Sequence, residues 1–110
     1  MSVSAPFTPM GNTVIITAQN PAPTPVQLIS YSAAASQYRV INSGTTIAFL
    51  GYGGNASTAT AGANTPNTSL SNCIPLLPGT DEVLTFVPNA YFTANASTST
   101  VLYITPGDGD

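Results

Sequence analysis

The chain has 110 residues, of which 5% are charged, and a net charge of −3; it has one cation, Arg39, and no His, Lys or Trp. An ordinary soluble domain has about 25% charged residues. This balance excludes phosphate recognition by a basic patch, attraction to anionic membrane surfaces, and acid–base chemistry by His or Lys.

The polar residues that remain are mostly Thr, Ser and Asn, and 43% of the chain is apolar. Disordered segments combine high net charge with low hydrophobicity, so a folded domain is expected. Abundant Thr with almost no long charged helix formers tilts the chain toward strands. The lone Cys73 cannot form an internal disulfide, so packing must hold the fold. Met1–Thr8 has no basic n-region and no apolar run reaches membrane-spanning length, which predicts synthesis in the cytoplasm.

Residues 1–12 are rich in Pro, Ser and Thr and read as an extended N-terminal arm, with Phe7 and Met10 as the side chains that would dock on a neighbour. Residues 13–110 read as one β-sandwich domain. Thr13–Ala18 is a β-branched apolar strand. Asn20–Pro25 carries three prolines and is a stiff connector. Val26–Tyr31 alternates as a strand, and Ser32–Ser36 turns the chain. Gln37–Asn42 and Thr46–Leu50 flank a short Asn-Ser-Gly-Thr loop and read as a β-hairpin. Residues 51–72 hold few large apolar side chains and read as a long loop, with Ser57–Ala61 as an edge strand within it and partner contact or mobility as its role. Cys73–Leu77 is a short apolar strand, confined by Pro75 to a sheet edge or a strand end. Asp81–Val87, Ala90–Ala94 and Thr100–Thr105 follow as strands, and Pro106–Asp110 as a polar tail.

Seven or eight short strands with turn signals about every ten residues predict an all-β chain, a single antiparallel β-sandwich. Eight strands in two sheets make it jelly-roll-like; seven fit an immunoglobulin-like sandwich lacking its disulfide.

Residues able to do chemistry are scarce. Asp81 and Glu82 are adjacent, so on a strand they point to opposite faces and make no carboxylate pair. Cys73 has no His to raise its thiolate fraction, which favours a structural thiol. Gly51–Gly54 has no lysine after it, so it is no phosphate loop. Asp108 and Asp110 lack the rest of a calcium loop and read as an acidic tail. Three Asn-x-Ser/Thr sequons, at Asn55, Asn67 and Asn95, follow from the Asn/Ser/Thr-rich composition. No catalytic residue, cofactor or metal ligand is expected. Arg39 has two readings: a surface ion pair with Asp81 or Glu82, or a contact across a subunit boundary. The tyrosines, Tyr52 among them, are candidate amphipathic anchors or core fillers.

Three stretches carry a resemblance. They are Tyr38-Arg39-Val40-Ile41-Asn42-Ser43-Gly44-Thr45 with Ala48-Phe49-Leu50, then Ile74-Pro75-Leu76-Leu77-Pro78-Gly79-Thr80-Asp81-Glu82-Val83-Leu84-Thr85-Phe86, and finally Val101-Leu102-Tyr103-Ile104-Thr105-Pro106-Gly107-Asp108-Gly109. Their order over residues 37–110 resembles the small head-associated decoration, or cement, proteins of tailed double-stranded-DNA bacteriophages. The resemblance implies a non-enzymatic virion protein, bound in many copies to the major capsid protein on the outside of the mature head and stabilising it. Phe7, Met10, Arg39 and Tyr52 would then be its partner contacts. The composition is consistent, because interface centres are depleted of Lys, Glu and Asp. An alternative is a carbohydrate-binding or adhesin-like sandwich whose tyrosines stack on sugars.

Overall fold

A computed structural model describes residues 7–30, 35–63 and 73–108 of the chain. These hold nine strands and one short helix: β1 (Thr8–Pro9), β2 (Val14–Ala18), β3 (Val26–Gln27), β4 (Gln37–Asn42), β5 (Ala48–Gly53), α1 (Ala56–Gly62), β6 (Cys73–Leu76), β7 (Asp81–Thr85), β8 (Tyr91–Asn95) and β9 (Thr100–Asp108). The strands form two antiparallel sheets packed face to face. One has five strands in the order β1-β9-β4-β7, with β2 also on β9; the other has four, in the order β3-β8-β5-β6.

Period-two alternation fixes which side chains meet in the middle. From the five-stranded sheet, Ile16, Ala18, Tyr38, Val40, Leu102 and Ile104 point inward; from the other, Ala48, Leu50, Leu76, Phe92 and Ala94 do so. All are buried. Tyr38 and Phe92 meet edge to face across the sheets, ring centroids 4.8 Å apart. The Tyr38 hydroxyl donates to the Val87 carbonyl at 2.6 Å and accepts from the Ala90 N–H at 3.0 Å, so this buried polar atom is satisfied on both counts. Burial raises its pKa, partly opposed by the Ala90 hydrogen bond.

The architecture differs from the sequence reading in several places. The chain is mostly β rather than all-β, because Ala56–Gly62 is helical where a long loop with an edge strand at Ser57–Ala61 is expected. The Asn55 side chain caps the helix by accepting from the Thr58 N–H at 2.9 Å. The helix lies on the four-stranded sheet, where Gly51 and Gly53 leave room for it. A Cβ on Gly51 would come within 2.3 Å of the Ala59 carbonyl oxygen. A seven-residue helix has little stability of its own and draws it from such packing.

The expected hairpin between Gln37–Asn42 and Thr46–Leu50 is absent. β4 belongs to one sheet and β5 to the other, so the segment between them crosses the sandwich. Asn42 is the pivot. Its Nδ2 donates to the Thr46 carbonyl at 3.0 Å and to the Leu76 carbonyl at 2.9 Å. Its Oδ1 accepts from the Gly44 N–H at 3.1 Å and from the Thr100 hydroxyl at 2.7 Å. The carboxamide thus uses its full valence, replacing ladder bonds that a departing strand gives up.

The last strand is longer than expected: Pro106–Asp108 extends β9 rather than forming a tail. A proline in a central strand is tolerated here for a geometric reason. The Pro106 carbonyl faces the N-terminal segment and accepts from the Met10 N–H at 2.8 Å. In an extended strand the N–H of a residue lies on the same side as its carbonyl, so the missing donor faces the break between β1 and β2. The expected strand Val26–Tyr31 is shorter, at Val26–Gln27, with Ser30 bridged to Gly11. Tyr31 and most of the expected turn at Ser32–Ser36 lie outside the described residues, as do Met1–Pro6, residues 64–72 and the final two.

Candidate docking faces

The two sheets present different outer faces. On the four-stranded sheet, α1 lies against β5 and β8. The proline-rich connector also reaches this sheet, where the outward Thr93 hydroxyl donates to the Pro23 carbonyl at 2.6 Å and is fully buried. On the five-stranded sheet the Phe7 ring lies over Gly107 at one end of β9, while Ile15, Val83 and Tyr103 stay exposed.

The register places an apolar row across that bare face. Ile15 of β2 sits opposite Tyr103 of β9, which sits opposite Ile41 of β4. Ile15 is 61% exposed and Tyr103 37%. In the next outward row the Thr13 and Thr105 hydroxyls are 2.6 Å apart, and Thr105 is followed by Arg39 and then Val83, itself exposed. An antiparallel sheet facing water ordinarily alternates apolar-in with polar-out. Here five of the outward positions are Ile15, Ile41, Val83, Val101 and Tyr103.

Among the described residues Arg39 and Asp81 are the charges on this face, and they hold each other. Arg39 Nε donates to Asp81 Oδ1 at 2.9 Å and Nη2 to Oδ2 at 2.6 Å, a bidentate fork. Both side chains are about half exposed. The guanidinium hydrogen bond, with its charge, holds the Asp81 carboxyl below its ordinary pKa, and Asp81 in turn raises that of Arg39. Glu82 points to the opposite side of β7, in register with the buried Val40.

The other expected contact residues fall in two separate places. The Phe7 ring lies against Gly107, where a Cβ would come within 2.5 Å of it, and Met10 is tied to Pro106, so both rest on β9 of their own chain. Tyr52 points into the space between the sheets and meets Phe86 edge to face at 5.0 Å. Phe7, Met10, Arg39 and Tyr52 therefore do not converge on one site. Of the row Ile15–Tyr103–Ile41 the sequence reading has only Tyr103, among its candidate tyrosines; the further signal is the apolar residue Ile15 at an outward position of β2.

Beside Tyr52 is a cavity of about 260 Å³ lined by Tyr52, Ile74, Leu84, Thr85, Phe86 and Phe92. Cys73 is half-buried at the start of β6. Among the described residues no group of three or more Cys, Asp or Glu is placed to hold a metal ion. No helix among them is long and apolar enough to cross a membrane. Compared with known proteins, the chain matches no family model, no curated protein and no solved structure.

Proposed function

We propose that this chain is a jelly-roll structural protein of a bacteriophage virion that binds the outer capsid lattice as a decoration protein, using the bare face of its five-stranded sheet. Two observations support the jelly-roll reading. The pairings nest, β2 with β9, β3 with β8, β4 with β7 and β5 with β6. That nesting is what winding one long antiparallel ribbon around a barrel produces. β9 then also pairs with β4, and β8 with β5, which joins the ribbon into two sheets.

The observation that carries the functional reading is the asymmetry of the two outer faces. One is covered by α1 and the connector. The other offers an exposed apolar row and a single charge pair already matched within the chain. Burying Ile15 and Tyr103 against a capsid subunit would remove apolar area from water with no free charge to desolvate on this side of the contact. Many copies on the shell, self-contact among them, and residence on the outer capsid surface after synthesis in the host cytoplasm belong to the same reading. No enzymatic step, nucleic acid or membrane enters it.

The test is addition of purified protein to mature capsids that lack it. Saturable, stoichiometric binding and a higher temperature of capsid rupture are expected. Ile15→Lys and Tyr103→Lys, both at outward positions, should bind at least tenfold more weakly. Undiminished binding by both variants, or no binding to any shell, would overturn the reading.

A further inference from the structure

We propose that the cavity beside Tyr52 and the free edge of β7 form one binding site for an extended segment of another protein, one that carries an apolar side chain and, two residues away, a Lys or Arg. The site is separate from the bare sheet face. Three observations converge on it.

First, the margin of the core holds a roomy apolar pocket that is partly open to solvent. The cavity of about 260 Å³ is walled by two rings at an interplanar angle of 83°, Tyr52 and Phe86, with Ile74 and Leu84 also only partly buried at the margin of the core. Protein interiors leave few voids larger than a water molecule, and an engineered apolar cavity of about 150 Å³ takes up benzene. An aromatic or branched side chain fits this one.

Second, β7 pairs with β4 on one side, and no strand pairs with its other side among the described residues. Such an edge accepts an added strand through main-chain hydrogen bonds, with specificity supplied by pockets for alternate side chains. A residue of the added strand opposite Leu84, on its inward face, enters the cavity.

Third, the charge at the edge has no ion-pair partner among the described residues. Glu82 shares the inward face of β7 with Leu84, one repeat away, and is exposed. Arg39, the chain's single cation, is held by Asp81 on the other face. A residue opposite Glu82 on the added strand is thus two positions from the one in the cavity, and a basic side chain there completes a cross-strand pair. A second copy of β7 does not fit: Asp81–Thr85 contains no cation, so no register of self-pairing gives Glu82 a counter-charge.

The probes are blocked peptides, threonine throughout except for one phenylalanine and, two positions away, one lysine, made in both orders to cover both strand directions. Amide NMR of the protein should show saturable shifts at Ile74, Leu84 and Thr85. Replacing the peptide phenylalanine by alanine should weaken binding about tenfold or more. Replacing the lysine by glutamate should weaken it by about fivefold. In Glu82→Gln, an exposed change that keeps the fold, the lysine and glutamate peptides should bind alike while the demand for phenylalanine persists. No saturable shift with any peptide, shifts confined to the Ile15–Tyr103 face, or wild-type protein indifferent to lysine against glutamate would each overturn the proposal.

Discussion

Replacing Asn42 by alanine tests the reasoning behind the sheet crossing. Asn42 is fully buried and its carboxamide makes four hydrogen bonds. The contacts to the Leu76 carbonyl and the Thr100 hydroxyl are buried, while those to Thr46 and Gly44 lie where water can reach. Each buried partner left unsatisfied costs about 1–3 kcal/mol, and each bond that water can replace costs less than about 1 kcal/mol. The sum is about 2–8 kcal/mol, against a total stability of roughly 5–15 kcal/mol for a domain of this size. Asn42→Asp should cost at least as much at neutral pH, because it keeps the acceptors, loses both donors, and turns a carboxylate toward the Thr46 and Leu76 carbonyls. Urea unfolding followed by far-UV circular dichroism reads the loss as a lower midpoint at unchanged slope. Hydrogen exchange at the Gly44 amide should quicken in Asn42→Ala, which removes its acceptor, but not through loss of that bond in Asn42→Asp, which keeps one. A loss below about 1 kcal/mol, with the Gly44 amide as protected as before, would refute the view that this carboxamide replaces the ladder at the crossing.

Two further predictions concern the helix and the ion pair. Gly51→Ala places a methyl within 2.3 Å of a backbone oxygen of α1 and should destabilise the fold by about 1–3 kcal/mol, whereas Gly54→Ala, with nothing within 4 Å of its Cβ, should be close to neutral; equal melting temperatures for the two would refute the packing of α1 on β5. The Asp81 carboxyl is held below its ordinary pKa, so the stability gained from the Arg39 pair is complete above the ordinary carboxylate range and is lost as pH falls through the lowered value. The difference in urea midpoint between wild type and Asp81→Asn should therefore be constant near pH 7 and shrink at about pH 3; a difference that grows on acidification would contradict the assignment.

The strand centres were legible because Gln37–Asn42, Asp81–Thr85 and Val14–Ala18 combine β-branched or aromatic residues with clean alternation. Strand pairing was not. The Asn-Ser-Gly-Thr loop has hairpin chemistry, but its outcome turns on Thr100 and Leu76, far along the chain, which engage Asn42 and draw β5 to the opposite sheet. The helix was hidden for a related reason. Ala56–Gly62 lacks the charged residues and apolar stripe of an amphipathic helix, and what stabilises it is the shape of the sheet at Gly51 and Gly53. Asn55 before an alanine-rich run was the local signal available. At the candidate face, the exposure of Ile15 and Tyr103 was not legible either. Apolar residues on both sides of a strand read equally well as a strand buried on both faces.

The scarcity of charge now has a location. On the four-stranded sheet, neutral small residues are required by what covers them, since Gly51, Gly53 and Thr93 sit under α1 or the connector. On the five-stranded sheet Phe7 makes that demand at Gly107, not at the exposed Ile15, Val83 and Tyr103, and a face kept for water would gain solubility from charged outward side chains. Outward positions of β2, β4 and β9 hold Ile15, Thr17, Gln37, Ile41, Val101, Tyr103 and Thr105 instead. Arg39 is the exception, and its fork onto Asp81 leaves the pair neutral. A partner meeting this face therefore has no net charge to match and can bind through apolar area and threonine hydroxyls. On the proposed reading, in which this face meets the capsid, Arg39 neutralises Asp81 within the contact surface, so Arg39→Leu should weaken capsid binding more than the double change Arg39→Leu with Asp81→Leu, which removes both charges together.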